Sequence, residues 1–137
     1  MLYAEYCHQD AEIETGVNIL FPAFNEDYIE IEAGGEECIP LGFRLKLEEG
    51  MKLNFSTERL LAEKRLNIDT RIVVDDEFDG EMFVNVFNHN DKPAVIAKYP
   101  KDFDKDNVIV IGYNMALGYI HGLGVKDVEV VDNINNI

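Results

Sequence analysis

The sequence predicts an all-β fold of about ten strands with one short helix. Three features favour this class: alternating apolar and polar residues, short β-branched runs, and glycine-rich or acidic turns between them. Alternation is clearest at residues 28–32 and 37–47, and residues 108–111 form a β-branched run. A chain of 137 residues is long enough to bury one core, so we expect a single domain over 1–137.

The first predicted strand pair spans a glycine turn. Residues 28–32 and 37–47 are expected to form a hairpin across Gly34 and Gly35. In the second strand Phe43, Leu45 and Leu47 share one face, while Arg44 and Lys46 share the other. The pattern therefore predicts a hairpin with one buried and one solvated face.

The helix is predicted after a strand at residues 51–55. Residues 58–66 are rich in good helix formers, and Ser56 or Thr57 is the expected cap. Leu60, Leu61 and Leu66 would give this helix its buried side.

Residues 71–84 are the stretch around which the rest of the chain is organised. A β-branched run leads into acidic positions, Gly80 turns the chain, and a second alternating run follows. This pattern predicts two strands that flank a tight, acidic hairpin.

The remaining strands are predicted from shorter runs. We expect them at residues 82–87, 94–98, 108–111, 115–120 and 126–131, with a plain turn at 88–93. Residues 99–107 are polar and predict a surface loop. Their alternating carboxylates lack the glycine and distal glutamate of a calcium loop.

Charge and composition exclude several classes of partner. With 27 acidic and 12 basic residues the net charge is −15, which disfavours direct binding to nucleic acid or to an anionic membrane. No apolar run approaches the ~20 residues of a membrane span, so we expect a cytoplasmic or otherwise intracellular protein. Cys7 and Cys38 are predicted to be buried thiols, and no metal site is expected from them.

Two motifs resemble those of one known family. Residues 74–81, Val-Asp-Asp-Glu-Phe-Asp-Gly-Glu, are similar to the Ile-Asp-x-x-Tyr-Arg-Gly-Glu motif of the trimeric dUTPases. Residues 39–50 also resemble that family, with an Ile-Pro-x-Gly step and a Glu-Gly turn. The resemblance, which covers roughly residues 15–123, implies a distorted β-barrel or jelly roll that forms a homotrimer with sites between subunits.

By this resemblance the site would involve residues of the acidic hairpin. Asp75 would activate the attacking water, the Phe78 ring would stack on the uracil, and the backbone around Gly80 would read the base edge. The alternatives are structural. An acidic hairpin tip keeps strand ends soluble, and an aromatic ring there often packs against a neighbouring strand or subunit.

Other positions depart from the family pattern. Asn18 stands where an aspartate holds magnesium through water, and Leu117 stands where a glutamine contacts phosphate. Arg59 matches the phosphate-binding arginine, but Leu60 and Leu61 then replace the serine and glycine; shifting the match by one residue puts Glu58 at the arginine position. The fifth, glycine-rich motif is missing after residue 131.

Because these groups would hold a triphosphate, their loss predicts a catalytically degenerate dUTPase-like protein without a cofactor, used as a trimeric structural or interaction module. A virus-encoded assembly or decoration protein, located in the virion and part of a larger protein assembly, is one specific form of this hypothesis. Two alternatives stay open. One is an active dUTP diphosphatase that uses Mg²⁺, and the other is a nucleotide-binding protein without hydrolysis.

Overall fold

The computed structural model of the chain describes residues 2–9, 11–14, 18–19, 26–71, 73–112, 116–121 and 128–137, with the backbone alone at 14, 18, 19, 120 and 121. The strands in these residues are β1 Leu2–Tyr6, β2 Ile13–Glu14, β3 Asn18–Ile19, β4 Tyr28–Ile31, β5 Glu36–Lys46, β6 Lys52–Thr57, β7 Leu66–Ile68, β8 Val74–Asp75, β9 Glu81–Asn88, β10 Ala94–Ala97, β11 Ile109–Gly112, β12 Gly118–His121 and β13 Val128–Val130. One α-helix, α1, spans Arg59–Glu63, and 3₁₀ turns span Pro100–Asp102 and Ile134–Asn136.

The strands form three sheets. One has the order β13-β1-β5-β9-β7, the second β11-β10-β4, and the third β2-β3-β12-β6-β8. Most neighbours are antiparallel, but β1 with β13 and β10 with β11 are parallel. The strand count exceeds the expected ten because several strands, such as β2, β3 and β8, have only two residues.

The core lies between the inner faces of these sheets. The predicted alternation in β5 is confirmed, since Phe43 and Leu45 are buried while Lys46 is exposed. In β9 the buried positions also alternate, with Val84 and Val86 inside. Each such fully buried aliphatic or aromatic side chain contributes about 1.5–3 kcal/mol to folding, so these two strands anchor the core.

Both predicted hairpins were wrong in their pairing. Strand β4 pairs with β10, whereas β5 pairs with β1 and β9, so the turn at Gly34 and Gly35 carries the chain from one sheet to another. Likewise β8 pairs with β6 and not with β9. Alternation places a strand's faces, but it does not identify the strand beside it.

The helix is shorter than predicted and its cap is a different residue. Ser56 and Thr57 belong to β6, and Glu58 is the N-cap without a capping side-chain bond. The Thr57 hydroxyl instead accepts a hydrogen bond from the Ile68 amide at 3.2 Å. Of the expected apolar side, Leu61 is buried but Leu60 is half exposed.

The other strand predictions are confirmed where the structure describes them. Strands β9, β10, β11 and β13 lie within or beside the predicted runs, and the loop before β11 is largely exposed. Part of the expected strand at 115–120 lies outside the described residues. Among the described residues, no helix is long and apolar enough to cross a membrane.

Candidate functional site

The two motifs that carry the family resemblance are hydrogen-bonded to each other. The Gly42 amide donates to Glu81 Oε1 at 3.0 Å, and the Gly50 amide donates to Asp76 Oδ2 at 2.9 Å. Gly42 has φ +78 and lies where the register of β5 shifts, between Pro40 and Arg44. A glycine permits this bulge, which turns its amide toward β9.

An ion pair adds a third link between these motifs. Arg44 Nη2 lies 2.8 Å from Asp79 Oδ1, and Arg44 Nη1 lies 3.8 Å from Glu5 Oε2. The Asp79 side chain is 86% exposed, so this pair is screened by water and stabilises the loop only weakly. Together the three links show that Asp76, Asp79 and Glu81 brace the frame of the loop.

Asp75 ends strand β8 and begins the acidic loop. Its Oδ1 accepts the Glu77 amide at 3.0 Å, while its carbonyl accepts the Phe78 amide at 3.1 Å. The side chain is half-buried. Gly80 lies further along the loop with φ +122, a backbone conformation that residues other than glycine rarely adopt. The carboxylate of Asp75 is thus oriented by its own turn, as a short polar side chain commonly is.

Phe78 lies at the middle of the loop and is half-buried. Its ring packs against the hydrophobic core. Packing occupies part of the ring surface that stacking on a base would use. The stacking role therefore stays a prediction, alongside the structural alternative that this contact favours.

The other predicted substrate residue, Arg59, lies at the start of α1. Its side chain is 83% exposed, and its Nε is 3.5 Å from Glu63 Oε1, one helical turn away. Leu61 and Leu117 are fully buried. Both leucines therefore point into the core. By the resemblance, Leu117 stands where a glutamine contacts phosphate, and Leu61 stands where the family has a glycine.

A tyrosine on β12 adjoins this end of the helix. The Tyr119 hydroxyl is hydrogen-bonded to the Glu58 carboxylate, and this bond, with partial burial and the charge of Glu58, raises the pKa of Tyr119. The Glu58 amide in turn donates to the Leu117 carbonyl at 3.0 Å. The helix start is thus tied to β12 through Glu58.

The predicted site residues fall into two groups at opposite ends of β6. The backbone of Asp75 pairs with Lys52 at one end, and Thr57 at the other end pairs with Gly118. Five strand steps of about 3.3 Å separate these ends, which is roughly 17 Å. The loop group holds Asp75, Phe78 and Gly80.

The second group holds Arg59 and the backbone of Asn18. Asn18 pairs with Tyr119, which itself pairs with Ser56 near the start of α1. The Asn18 side chain lies outside the described residues. The structure therefore brings each group together but keeps the two groups apart within one chain.

The carboxylates of the loop are the candidate ligands for a metal ion. Among the described residues, no group of three or more His, Cys, Asp or Glu side chains is arranged to hold an ion. The carboxylates beside Asp75 instead accept backbone amides or pair with Arg44. The described residues do not fit a dedicated Mg²⁺ site.

Comparison with solved structures identifies the architecture. A mutant dUTPase from phage phi11 of S. aureus, whose structure concerns a structural Mg(II) ion, matches with TM-score 0.65 and 13% identity over 98% of this chain and 99% of that one. The chain has the fold of the dUTPases. The native EIAV dUTPase also matches, with TM-score 0.58 and 15% identity over 89% of this chain and 88% of that chain. The predicted all-β dUTPase-type fold with one short helix is confirmed.

Sequence comparison agrees with this dUTPase-like fold. The deoxyuridine 5'-triphosphate nucleotidohydrolase of Dictyoglomus turgidum is 29% identical over 93 residues, which cover 66% of this chain. The chain spans 59% of the length of that curated relative. No family model matches the chain. The resemblance first inferred from the two motifs is confirmed.

Sequence reasoning missed the bracing roles of Asp76 and Glu81. Both belong to the motif at residues 74–81, and both accept amides from glycines of the other motif. The two glycines, Gly42 and Gly50, lie in the motif at residues 39–50, and the two carboxylates lie in the motif at residues 74–81. Nothing in the spacing of either motif indicated these contacts.

Proposed function

We propose that this dUTPase-like protein is catalytically degenerate and acts as a homotrimeric structural or interaction module. The observation that carries the proposal is the complete burial of Leu117. By the resemblance, a glutamine that contacts phosphate belongs at this position, and Leu60 stands where a phosphate-binding serine belongs. A leucine that faces the core offers no donor to a triphosphate, and charge-assisted contacts there are typically worth ~1.5–3 kcal/mol each.

The remaining polar groups support the same proposal. Arg59 is exposed and pairs with Glu63, while the loop carboxylates brace the frame. A general base contributes only ~10²–10⁴-fold to a rate, and phosphate positioning contributes much of the rest. Asp75 without a held triphosphate therefore achieves little hydrolysis.

The experiment is a hydrolysis assay of the purified chain with dUTP and Mg²⁺. We expect at most a trace rate, and the same trace rate for Asp75→Asn. The proposal is wrong if dUTP is split to dUMP and pyrophosphate at ~1 s⁻¹ or faster and Asp75→Asn removes that activity.

An active dUTP diphosphatase is the second candidate. The 29% identity to a relative named deoxyuridine 5'-triphosphate nucleotidohydrolase favours it. In that case Asp75 is the base, Phe78 and the Gly80 backbone bind uracil, and Arg59 binds the phosphates. Asn18 then stands where the family holds magnesium through water. In this hypothesis the acidic neighbours of Asp75 recruit Mg²⁺.

The separation of the two residue groups supports a homotrimer. Asp75 and Arg59 lie at opposite ends of β6, so a complete site combines these groups from different copies. Sedimentation of the chain at micromolar concentration tests this: we expect a trimer, and a monomer contradicts it. A calorimetric titration with a non-hydrolysable dUTP analogue then separates a nucleotide-binding protein from a module that binds none.

A phage dUTPase and the EIAV dUTPase share the fold, which is compatible with a virus-encoded assembly or decoration protein. Incorporation of the chain into purified virions tests that assignment.

A further inference from the structure

A groove of about 890 Å³ lies between strand β4 and the first half of β5. Its lining includes the carboxylates of Glu26, Asp27, Glu30, Glu37 and Glu81, and no lysine or arginine is among the described residues that line it. We call it the acidic groove. Ile29 and Pro40 add apolar surface to this lining. Such a site favours a cationic ligand that also carries some apolar surface.

The negative surface continues beyond this groove. A smaller groove of about 370 Å³ shares Glu30 and Glu37 with it and adds Glu32 and Glu36. The side chains of Glu30 and Glu37 are exposed. The combined surface is elongated along β4, which suits an extended ligand better than a compact one.

Strand β4 is an edge strand and borders the acidic groove. In its sheet, with the order β11-β10-β4, β4 has a partner on one side only among the described strands. The Lys98 amide donates to the Asp27 carbonyl, and the register then makes Ile29 with Ile96 the next hydrogen-bonded pair. The backbone groups of Tyr28 and Glu30 therefore point away from β10, toward the open edge.

An aromatic ring is held beside this edge. The Tyr28 side chain is 45% exposed, and its ring lies edge-on to Phe103 at 5.4 Å between centroids. This contact fixes the ring without covering it. An ordered tyrosine beside an open edge provides both packing surface and a partner for cationic side chains.

We propose that the acidic groove binds a lysine- or arginine-rich extended segment of another protein, which adds as a strand to β4. In strand addition the backbone supplies affinity and alternating side chains supply specificity. Here the Tyr28 and Glu30 backbone groups bond the added strand, and its basic side chains face Glu30 and Glu37. This inference rests on the proposed interaction role and names the chemistry of the partner.

The test uses the full chain and a short peptide in which lysine or arginine alternates with valine, followed by fluorescence anisotropy. We expect saturable binding that weakens as salt is added, because rim charges are screened. The double variant Glu30→Lys with Glu37→Lys should bind about 10-fold or more weakly. The matched control changes Asp91→Lys with Glu129→Lys, which are exposed, lie outside the groove and alter net charge equally.

Two results of the binding experiment overturn the proposal. One is an equal loss of binding in the control variant, which indicates attraction by net charge alone. The other is unchanged binding by a peptide N-methylated at alternate residues, because this modification blocks strand pairing but keeps the charges.

A further outcome concerns a second copy of this chain. If the peptide does not bind and the Glu30→Lys, Glu37→Lys variant sediments with lower mass, the groove is an interface between copies and the proposal is wrong. None of these measurements involves dUTP. Failure of strand addition is therefore distinguishable from failure of the catalytic proposal, which the hydrolysis assay decides.

Discussion

The loop at residues 76–80 and the turn at residues 89–93 flank the same strand, β9, one before it and one after it. The loop has three acidic residues and was predicted to be functional, whereas the turn was predicted to be only a connection. In the structure, the loop's bonds involve exposed carboxylates, such as Asp76 with the Gly50 amide. The turn is held by Asn88, which is 1% exposed.

The Asn88 side chain lies within hydrogen-bond distance of five groups. Its Nδ2 has two hydrogens, which it shares among the carbonyls of Ile31, Glu32 and Lys92 at 3.0–3.1 Å. Its Oδ1 accepts from the backbone and side-chain nitrogens of Asn90. A buried amide with all its groups satisfied joins the turn to β4. A run of charges is therefore easy to notice in a sequence, but the contribution of a polar residue to stability depends on its burial.

The largest effect is expected for Asn88→Ala. The substitution leaves buried carbonyls without their donor, so we expect the free energy of unfolding to fall by about 2–4 kcal/mol. Urea denaturation measures this. The control is Asn54→Ala, an exposed asparagine on β6, which should change stability by less than about 0.5 kcal/mol. Equal effects of the two substitutions would remove the basis of the comparison.

A smaller effect is expected in the acidic loop for Gly80→Ala. Gly80 has φ +122, and nothing lies within 4 Å of an added Cβ, so the cost is backbone strain and not a clash. We expect a loss of about 1–3 kcal/mol in unfolding free energy. Glu77→Ala in the same loop is the control, since that position has no positive φ. A neutral Gly80→Ala would mean that the loop relaxes freely.

The next prediction concerns Asp69, whose carboxylate is buried, unlike the exposed carboxylates of the loop. Asp69 is 8% exposed and accepts two bonds from the Arg71 guanidinium at 2.9 Å. The side-chain bond from Arg71, followed by the Arg71 amide, lowers the pKa of Asp69. A carboxyl with a lower pKa in the folded state stabilises the fold above its unfolded pKa, and this contribution is lost as pH falls through the folded pKa.

Asp69→Asn should therefore lower the urea midpoint at neutral pH, by less than Gly80→Ala does. The difference from the unaltered chain should shrink as pH falls below the usual pKa of an aspartate and disappear once pH is below the lowered folded pKa. Asp91→Asn, at an exposed site, is the control and should show no such pH dependence. A difference that persists undiminished at low pH would contradict the assigned ion pair.

Much of the fold follows from local pattern, and the exceptions have physical causes. The faces of β5 and β9 were predictable because burial alternates with a period of two. The strand partners were not predictable, because a turn such as that at Gly34 and Gly35 can either close a hairpin or carry the chain to another sheet. The cap of α1 was misplaced because the Thr57 hydroxyl accepts the Ile68 amide, a contact from outside the helix.

The cysteines show the same limit of local pattern. Cys7 and Cys38 were expected to be buried, but both are exposed in the acidic groove. Partial burial raises the pKa of each thiol, and Glu81 raises that of Cys7 while Glu37 raises that of Cys38. Their small apolar character suggested the core, whereas Cys7, just after β1, and Cys38, in β5, both line the groove.

For the candidate site, the family motifs predicted which residues lie together in the loop but not how they are bonded. Asp75, Phe78 and Gly80 share the loop as expected, and their functional roles stay predictions. The contacts of Asp76 and Glu81 required the paired motif 39–50 to be placed beside them. Such contacts between distant segments are not encoded in the spacing of either motif.

The smallest effect is expected for Asp79→Ala, which removes an exposed carboxylate of the acidic loop. Asp79 pairs with Arg44 at 2.8 Å, a shorter distance than those of the Asn88 bonds, yet its side chain is 86% exposed. Water screens this pair, and fixing two side chains costs entropy, so we expect a change within about 0.5 kcal/mol in urea denaturation. Added salt should alter the unmodified chain and the variant alike. A fall of more than about 1 kcal/mol in the free energy of unfolding would mean that the exposed charges of the loop stabilise the fold. Burial would then not explain why Asn88 contributes more to stability than the loop does.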